Sequence, residues 1–381
     1  MFTLGDSMNV NSEQKRTVPV NRILIVFSSI LILFGAMFLL TGTHEHEKPS
    51  EAQDVGIMDA LDFLIFDAVT EAEHAARSVR KRFWLDDDVK IAPVPNPECY
   101  GSTSDPSSLQ WLLDKAQPLL DGQTTLFSTD TPLNPGSEAI YYLDDSIFAV
   151  TWKQPIDKSV YTISEIKVSH PSQFRRHLED PVFDGPKLST PTKMARKVNA
   201  VVGTSADHYR GRKAGIIVYN SEVKRMHRLD KIDVCYIDVN GDLHFSYQGE
   251  IMDKETADKF VADNNISFSL SFGPVLIDDG VRCEPANYNI GEINDHYARS
   301  AICQMGPLHY LVVVANAGRG SPDLHEFAAV LDTFGCQKAY TLDGGNTGSI
   351  IMNGKLINRT PYGYERPQGD IIYFATAMPD Q

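Results

Sequence analysis

No stretch limits what this chain can fold into more than AYTLDGGNTGSIIMNGKLINRTPYGYERPQGDIIYFA, residues 339–375. An apolar lead (Ala339, Tyr340, Thr341, Leu342) runs into Asp343, then two glycines and a polar turn. A second apolar run, Ile350 to Met352, meets Asn353-Gly354 and then Leu356-Ile357. This pattern predicts a buried strand ending in a carboxylate, a glycine loop and a β-hairpin, because Asn-Gly supplies the two positive φ angles of a tight hairpin turn. Glycines let the loop backbone approach a ligand closely. A carboxylate beside such a loop suits catalysis. An ordinary strand–turn–strand closed by an Asx turn reads the same residues equally well.

The rest of the outer part follows the same grammar. Short β-rich runs at 147–152, 160–168, 200–202, 215–218, 232–239, 243–247, 268–272, 301–304, 310–314 and 339–342 read as strands. Residues 191–199 and 323–334 read as helices, the second with Leu324, Phe327, Ala328 and Leu331 on one face. Strands outnumber helices and many connect through tight turns. The expected class is therefore α+β, a large mixed β-sheet domain over 139–381 with packed helices. Upstream, 43–138 reads as a tether, an amphipathic helix at 54–85, and a Pro/Gly-rich linker with one helix near 109–120.

Ile23 to Leu40 is 18 residues without a charge. With Thr41 and Gly42 it is long enough to span a bilayer core. Lys15, Arg16 and Arg22 precede it, whereas Glu45, Glu47, Glu51 and Asp54 follow with Lys48 the one nearby cation. The positive-inside rule predicts a cytoplasmic tail at 1–22, a single-pass transmembrane helix at 23–42, and an extracytoplasmic C-terminal domain. A cleaved signal peptide is the rival, with a usually shorter apolar region.

The formal net charge of −15 argues against nucleic acid as a partner. Cys99, Cys235, Cys283, Cys303 and Cys336 show no CxxC spacing, so neither a metal site nor a cofactor is expected. Oligomeric state is not readable from the sequence.

LDGGNTGSIIMNGKLIN followed by ERPQGDIIYFA resembles the signature of the phosphodiester glycosidase family. YYLDDSIFAVTW, TPTKMARKVNAVVG, ADHYRGRKAGIIVYNSEVKR, FSLSFGPVLIDDG, INDHYARSAICQMGPLHYLVVVANAGRG and LHEFAAVLDTFGC precede it in the family's order, so the resemblance covers about 139–378. It implies an Asp343–Glu326 catalytic pair, the glutamate standing in the helix before the signature. It implies substrate contacts from Asp207, Tyr209, Arg299, Arg319, Gly344, Gly345, Asn346, Thr347 and Arg366. The chain departs from the pattern in places. Asn346 and Thr347 stand where glycine and serine are commoner, and Ala317 where an aspartate usually precedes the glycine–arginine pair. Taken alone, Glu326 also reads as a favourable first-turn anion, Asp207 as a turn residue, and His208 as an exposed loop histidine.

Cleaving a glycosyl phosphodiester needs cations or backbone donors for the phosphate and a carboxylate at the oxocarbenium-like sugar carbon. The expected activity is therefore an extracytoplasmic hydrolase acting on a phosphate-containing glycan of the cell envelope or an exopolysaccharide. The alternative is a catalytically degenerate glycan-binding or envelope-assembly protein of the same fold.

Overall fold

The computed structural model describes residues 91–284, 288, 292–316 and 320–377. The expected tail, transmembrane run, tether and amphipathic helix, and with them Arg319, lie outside these residues. Among the described residues no helix is long and apolar enough to cross a membrane.

A nine-stranded sheet forms the centre. Its strands, edge to edge, are Tyr100–Thr103, Ala139–Leu143, Ile147–Ile156, Ser159–Val168, His309–Ala315, Arg299–Gly306, Lys338–Leu342, Val275–Asp278 and Val281–Arg282. Two five-stranded sheets accompany it. One is built around Val234–Asp238 and Ile266–Leu270, the other around Val202–Ser205 and Asp370–Phe374. The α+β class holds, but the expected mixing of strand directions does not. Every described strand pairing is antiparallel. Short connections account for the hairpins among these, because two-residue turns can join only antiparallel neighbours. The Ile350–Met352 and Lys355–Leu356 strands show it, meeting through Asn353 (φ 50°) and Gly354 (φ 62°), the geometry of a type I′ turn.

Side chains alternate across the large sheet and so feed two cores. Phe148, Val150, Trp152, Ala301, Cys303, Leu311 and Val313 face the helices Gln110–Leu120 and Leu324–Thr333. Ile147, Ala149, Ile302, Tyr310, Val312, Tyr340 and Leu342 face the two smaller sheets, meeting Val202, Phe268, Leu270, Ile350, Ile372 and Phe374. Both faces are covered, which is why the strands read as nearly unbroken apolar runs.

The segment expected as a linker needs correction. Tyr100–Thr103 pairs with Ala139–Leu143 as an edge strand. Leu109, Leu112, Ala116, Leu120 and Phe127 are buried in the helix-side core. Glu165, itself fully buried, accepts the Leu126 and Phe127 amides at 2.8 Å each and holds His309 at 2.8 Å. Its Pro, Ser and Asp residues make turns and caps rather than free chain: Asp105 caps the Pro106–Leu109 turn.

Candidate active site

The Lys338–Leu342 strand lies inside the large sheet, between Arg299–Gly306 and Val275–Asp278, and delivers Asp343 at its end. The Asp343 amide donates to the Ala206 carbonyl at 3.0 Å, and Ser205 Oγ donates to the Asp343 carbonyl at 3.1 Å. These bonds tie the carboxylate to the end of the Val202–Ser205 strand. Gly344 follows because nothing larger fits: a Cβ there would stand 2.3 Å from the Ala298 carbonyl oxygen. Gly345 has φ +57° and gives its N–H to the same carbonyl at 2.8 Å. The loop closes as the Thr347 and Gly348 amides return to the Gly344 carbonyl, and the Thr347 hydroxyl donates to it as well. The expectation that Gly345 offers its N–H to phosphate is therefore corrected, since that donor is already engaged.

Asp343 opens on a cleft of about 480 Å³. Its side chain is 10% exposed. Arg366 Nη2 donates to Oδ2 at 2.8 Å, and His208 Nδ1 stands 3.8 Å from the same oxygen. Burial pushes the Asp343 carboxyl above its ordinary range, while His208, Thr347 and Arg366 pull it back. Burial holds His208 below the usual histidine range, with Asp343 opposing and Arg366 adding to the fall. The shift favours the neutral imidazole. Its own backbone is held at φ 54°, and its carbonyl receives the Gly211 and Arg212 amides at 3.0 Å each.

Among the described residues, three arginines line the cleft: Arg212, Arg299 and Arg366. Arg299 is fixed by Nη2 bonds to the Glu292 carbonyl at 2.7 Å and to the Asp295 carbonyl, with its guanidinium 5.6 Å from the Tyr297 ring centre. Arg212 donates to the Phe272 carbonyl at 2.7 Å and lies 4.3 Å from that ring centre. Burial lowers the pKa of both, yet an arginine stays charged at any physiological pH. Arg299 Nε, Asn346 Oδ1 and Thr341 Oγ1 are buried without a hydrogen-bond partner among the described residues, and all three residues line the cleft. Buried polar atoms of this kind ordinarily have partners, so they mark where a polar ligand would be accepted. Among the described residues no cluster of His, Cys, Asp and Glu could hold a metal ion.

The structure brings Asp343, Gly344, Gly345, Asn346, Arg299 and Arg366 to one cleft, with Thr347 bracing the loop behind them. It places three other expected residues elsewhere. Glu326 is the N3 residue of the Leu324–Thr333 helix and closes a capping box with Asp323. Its side chain is 62% exposed and does not line the cleft. Among the described residues, the other carboxylate lining the cleft is Glu292. Asp207 and Tyr209 have no exposed surface. Asp207 accepts from Arg176 Nη2 at 2.7 Å and from the Ser271 and Tyr209 amides at 2.7 and 3.1 Å. Both are corrected from substrate contacts to interior supports, Tyr209 stacking on Phe183 at 5.5 Å. Arg212 and His208 were readable in the ADHYRGR block. Glu292 and Tyr297 reach the cleft only because residues 292–297 fold back onto Arg299, which nothing local in the sequence signals.

Residues 196–375 match the family model of the phosphodiester glycosidases. The overlap bears out the resemblance carried by the Asp-Gly-Gly signature. Among solved structures, the catalytic domain of zebrafish N-acetylglucosamine-1-phosphodiester alpha-N-acetylglucosaminidase, auto-inhibited by its pro-peptide, is 15% identical. That alignment covers 68% of this chain and 93% of that one, with a TM-score of 0.47. A hypothetical protein from Synechocystis is 14% identical, with 66% of this chain and 65% of that one covered and a TM-score of 0.45. This chain thus spans slightly under two thirds of the Synechocystis chain. No curated protein matches it.

Proposed function

We propose that the phosphodiester glycosidase domain this chain carries at residues 196–375 hydrolyses a sugar-1-phosphodiester, with Asp343 acting at the sugar carbon. The observation that carries the reading is one cleft holding a nearly buried carboxylate beside three arginines, in a chain of net charge −15. A phosphodiester anion fits that local reversal of charge. Arg299 and Arg212 hold the phosphate, and Arg366 bridges it to Asp343. Water adds its oxygen to the anomeric carbon as the bond from that carbon to the phosphate oxygen breaks. The electron pair leaves on the phosphate monoester, and the proton of water passes to the Asp343–His208 pair. Because phosphate is a good leaving group, no strong general acid is needed on it, in keeping with an exposed Glu326 that caps a helix.

The substrate class we propose is a glycosyl phosphodiester of cell-envelope or exopolysaccharide material. The apolar run 23–42 and the basic residues before it support membrane anchoring with the domain outside the cytoplasm. A degenerate glycan binder is favoured by one observation: Glu326, the expected catalytic partner, is absent from the cleft. Hydrolysis of sugar-1-phosphodiesters by the full chain in ¹⁸O-water decides between them. Label in the released sugar is the expected result. Label in the phosphate would move the chemistry to phosphorus, and no turnover on any diester would leave the binder.

A further inference from the structure

Two of the five cysteines share one core. Cys303 and Cys336 are buried on the helix side of the large sheet, 0% and 2% exposed. Cys235 is buried in the opposite core, and Cys99 and Cys283 pack against that one. Strand alternation explains the placing. Cys303 follows Ala301 onto the helix face and stands opposite Ala339, which lies in the same core. Cys336 comes directly after Gly335, whose φ of 77° turns the chain from the end of the Leu324–Thr333 helix toward the Lys338–Leu342 strand. The neighbours of the two cysteines are bonded to each other, the Gln337 amide donating to the Gln304 carbonyl at 2.9 Å. The backbones are thus clipped together, and the two free thiols meet in a sulfur hydrogen bond.

Packing as a small hydrophobe accounts for either cysteine alone. Two thiols in contact on clipped backbones are also what a disulfide requires. We propose that Cys303 and Cys336 are a disulfide-forming pair, closed by a disulfide oxidant such as glutathione disulfide. One thiolate attacks a sulfur of the oxidant and releases a first glutathione thiolate. The other thiolate attacks the resulting mixed disulfide and releases the second. Two electrons pass to the oxidant, and the two thiol protons end on the two glutathiones. The large sheet keeps the other three cysteines away from both thiols. Burial, with Cys336 beside it, pushes the Cys303 thiol above its ordinary range, so the pair exchanges when the core opens and is inert when it is closed. The bond joins the strand that begins at Arg299 to the chain entering the strand that ends at Asp343. It therefore staples the two cleft-bearing strands at a point away from the cleft.

The test uses the purified full-length protein. It is reduced, then held with glutathione disulfide in urea just below its unfolding transition, where the core opens transiently. Alkylation in denaturant and peptide mass mapping follow. The expected product carries one peptide linking Cys303 to Cys336 and no bridge at Cys99, Cys235 or Cys283. The oxidised protein should unfold roughly 5 °C above the reduced one, because the bridge restricts the unfolded chain. That difference between the two redox forms should vanish in Cys303→Ala and in Cys336→Ala. A protein left without any bridge, a glutathione adduct on Cys303 or Cys336 that does not close, or a bridge from either to another cysteine overturns the pair.

Discussion

Asp207 and Asp343 sit close together in the fold and have opposite fates. Ala206, the residue before Asp207, receives the Asp343 amide, and each aspartate is paired with an arginine at 2.7–2.8 Å. Asp207 and its Arg176 are wholly sealed, and Arg176 also holds Asp370 at 2.7 Å. Asp343 keeps a tenth of its side chain exposed, and its Arg366 is 45% exposed on the cleft wall. The sealed pair has its hydrogen-bonding capacity taken up by the Ser271 and Tyr209 amides and by the Ser269 carbonyl. The open pair leaves room for a ligand. An arginine–aspartate contact therefore says little by itself about function. Access to solvent separates a support from a site.

The largest effect is expected at Arg176. Arg176→Met should destabilise the protein by about 3–5 kcal/mol, because it strands the buried Asp207 carboxylate and removes the donor to Asp370; urea unfolding measures it. The equivalent change at the open site, Arg366→Met, should cost far less. A comparable loss at both would erase the distinction.

A second test uses pH. Burial pushes Asp370 up to about 8, with Arg176 opposing and Asp207 adding to the rise. The folded protein therefore holds a proton there that the unfolded chain releases near pH 4. The native state binds more protons than the unfolded one between these values, so this group's contribution to stability falls as pH rises from about 4 to 8. The slope should approach 1.4 kcal/mol per pH unit in that window. Asp370→Asn should flatten unfolding free energy measured from pH 6 to 9. An unchanged slope would mean that Asp370 is ionised in the fold.

The smallest of these effects is expected at the cleft's edge. Arg299→Ala should raise KM for a sugar-1-phosphodiester roughly tenfold, the loss of a charge-assisted contact, with little change in kcat. A fall in kcat with constant KM would instead tie Arg299 to the transition state.

What the sequence made legible was what short-range backbone geometry dictates. Asn353-Gly354 had to turn, and Asp343 followed by two glycines had to end a strand in a tight loop. The partners of the sealed network were hidden by separation. Arg176 lies 31 residues from Asp207 and 194 from Asp370, and no local pattern joins them. The helix near 109–120 was legible, but the turn-forming Pro, Ser and Asp around it hid that 100–127 belongs to the core. Glu326 is a different case. Asp323 three residues before it is the spacing of a capping box, a local signal that outweighs family position.

We propose that the open carboxylate performs the chemistry and the sealed one supports the fold. Asp343→Asn and Asp207→Asn, compared in the full chain for sugar-1-phosphodiester turnover and for urea stability, test it together. Asp343→Asn should cut turnover by roughly 10²-fold or more while stability is retained, and Asp207→Asn should lose stability first. Near-normal turnover in a folded Asp343→Asn protein would rule out Asp343 as the reacting carboxylate.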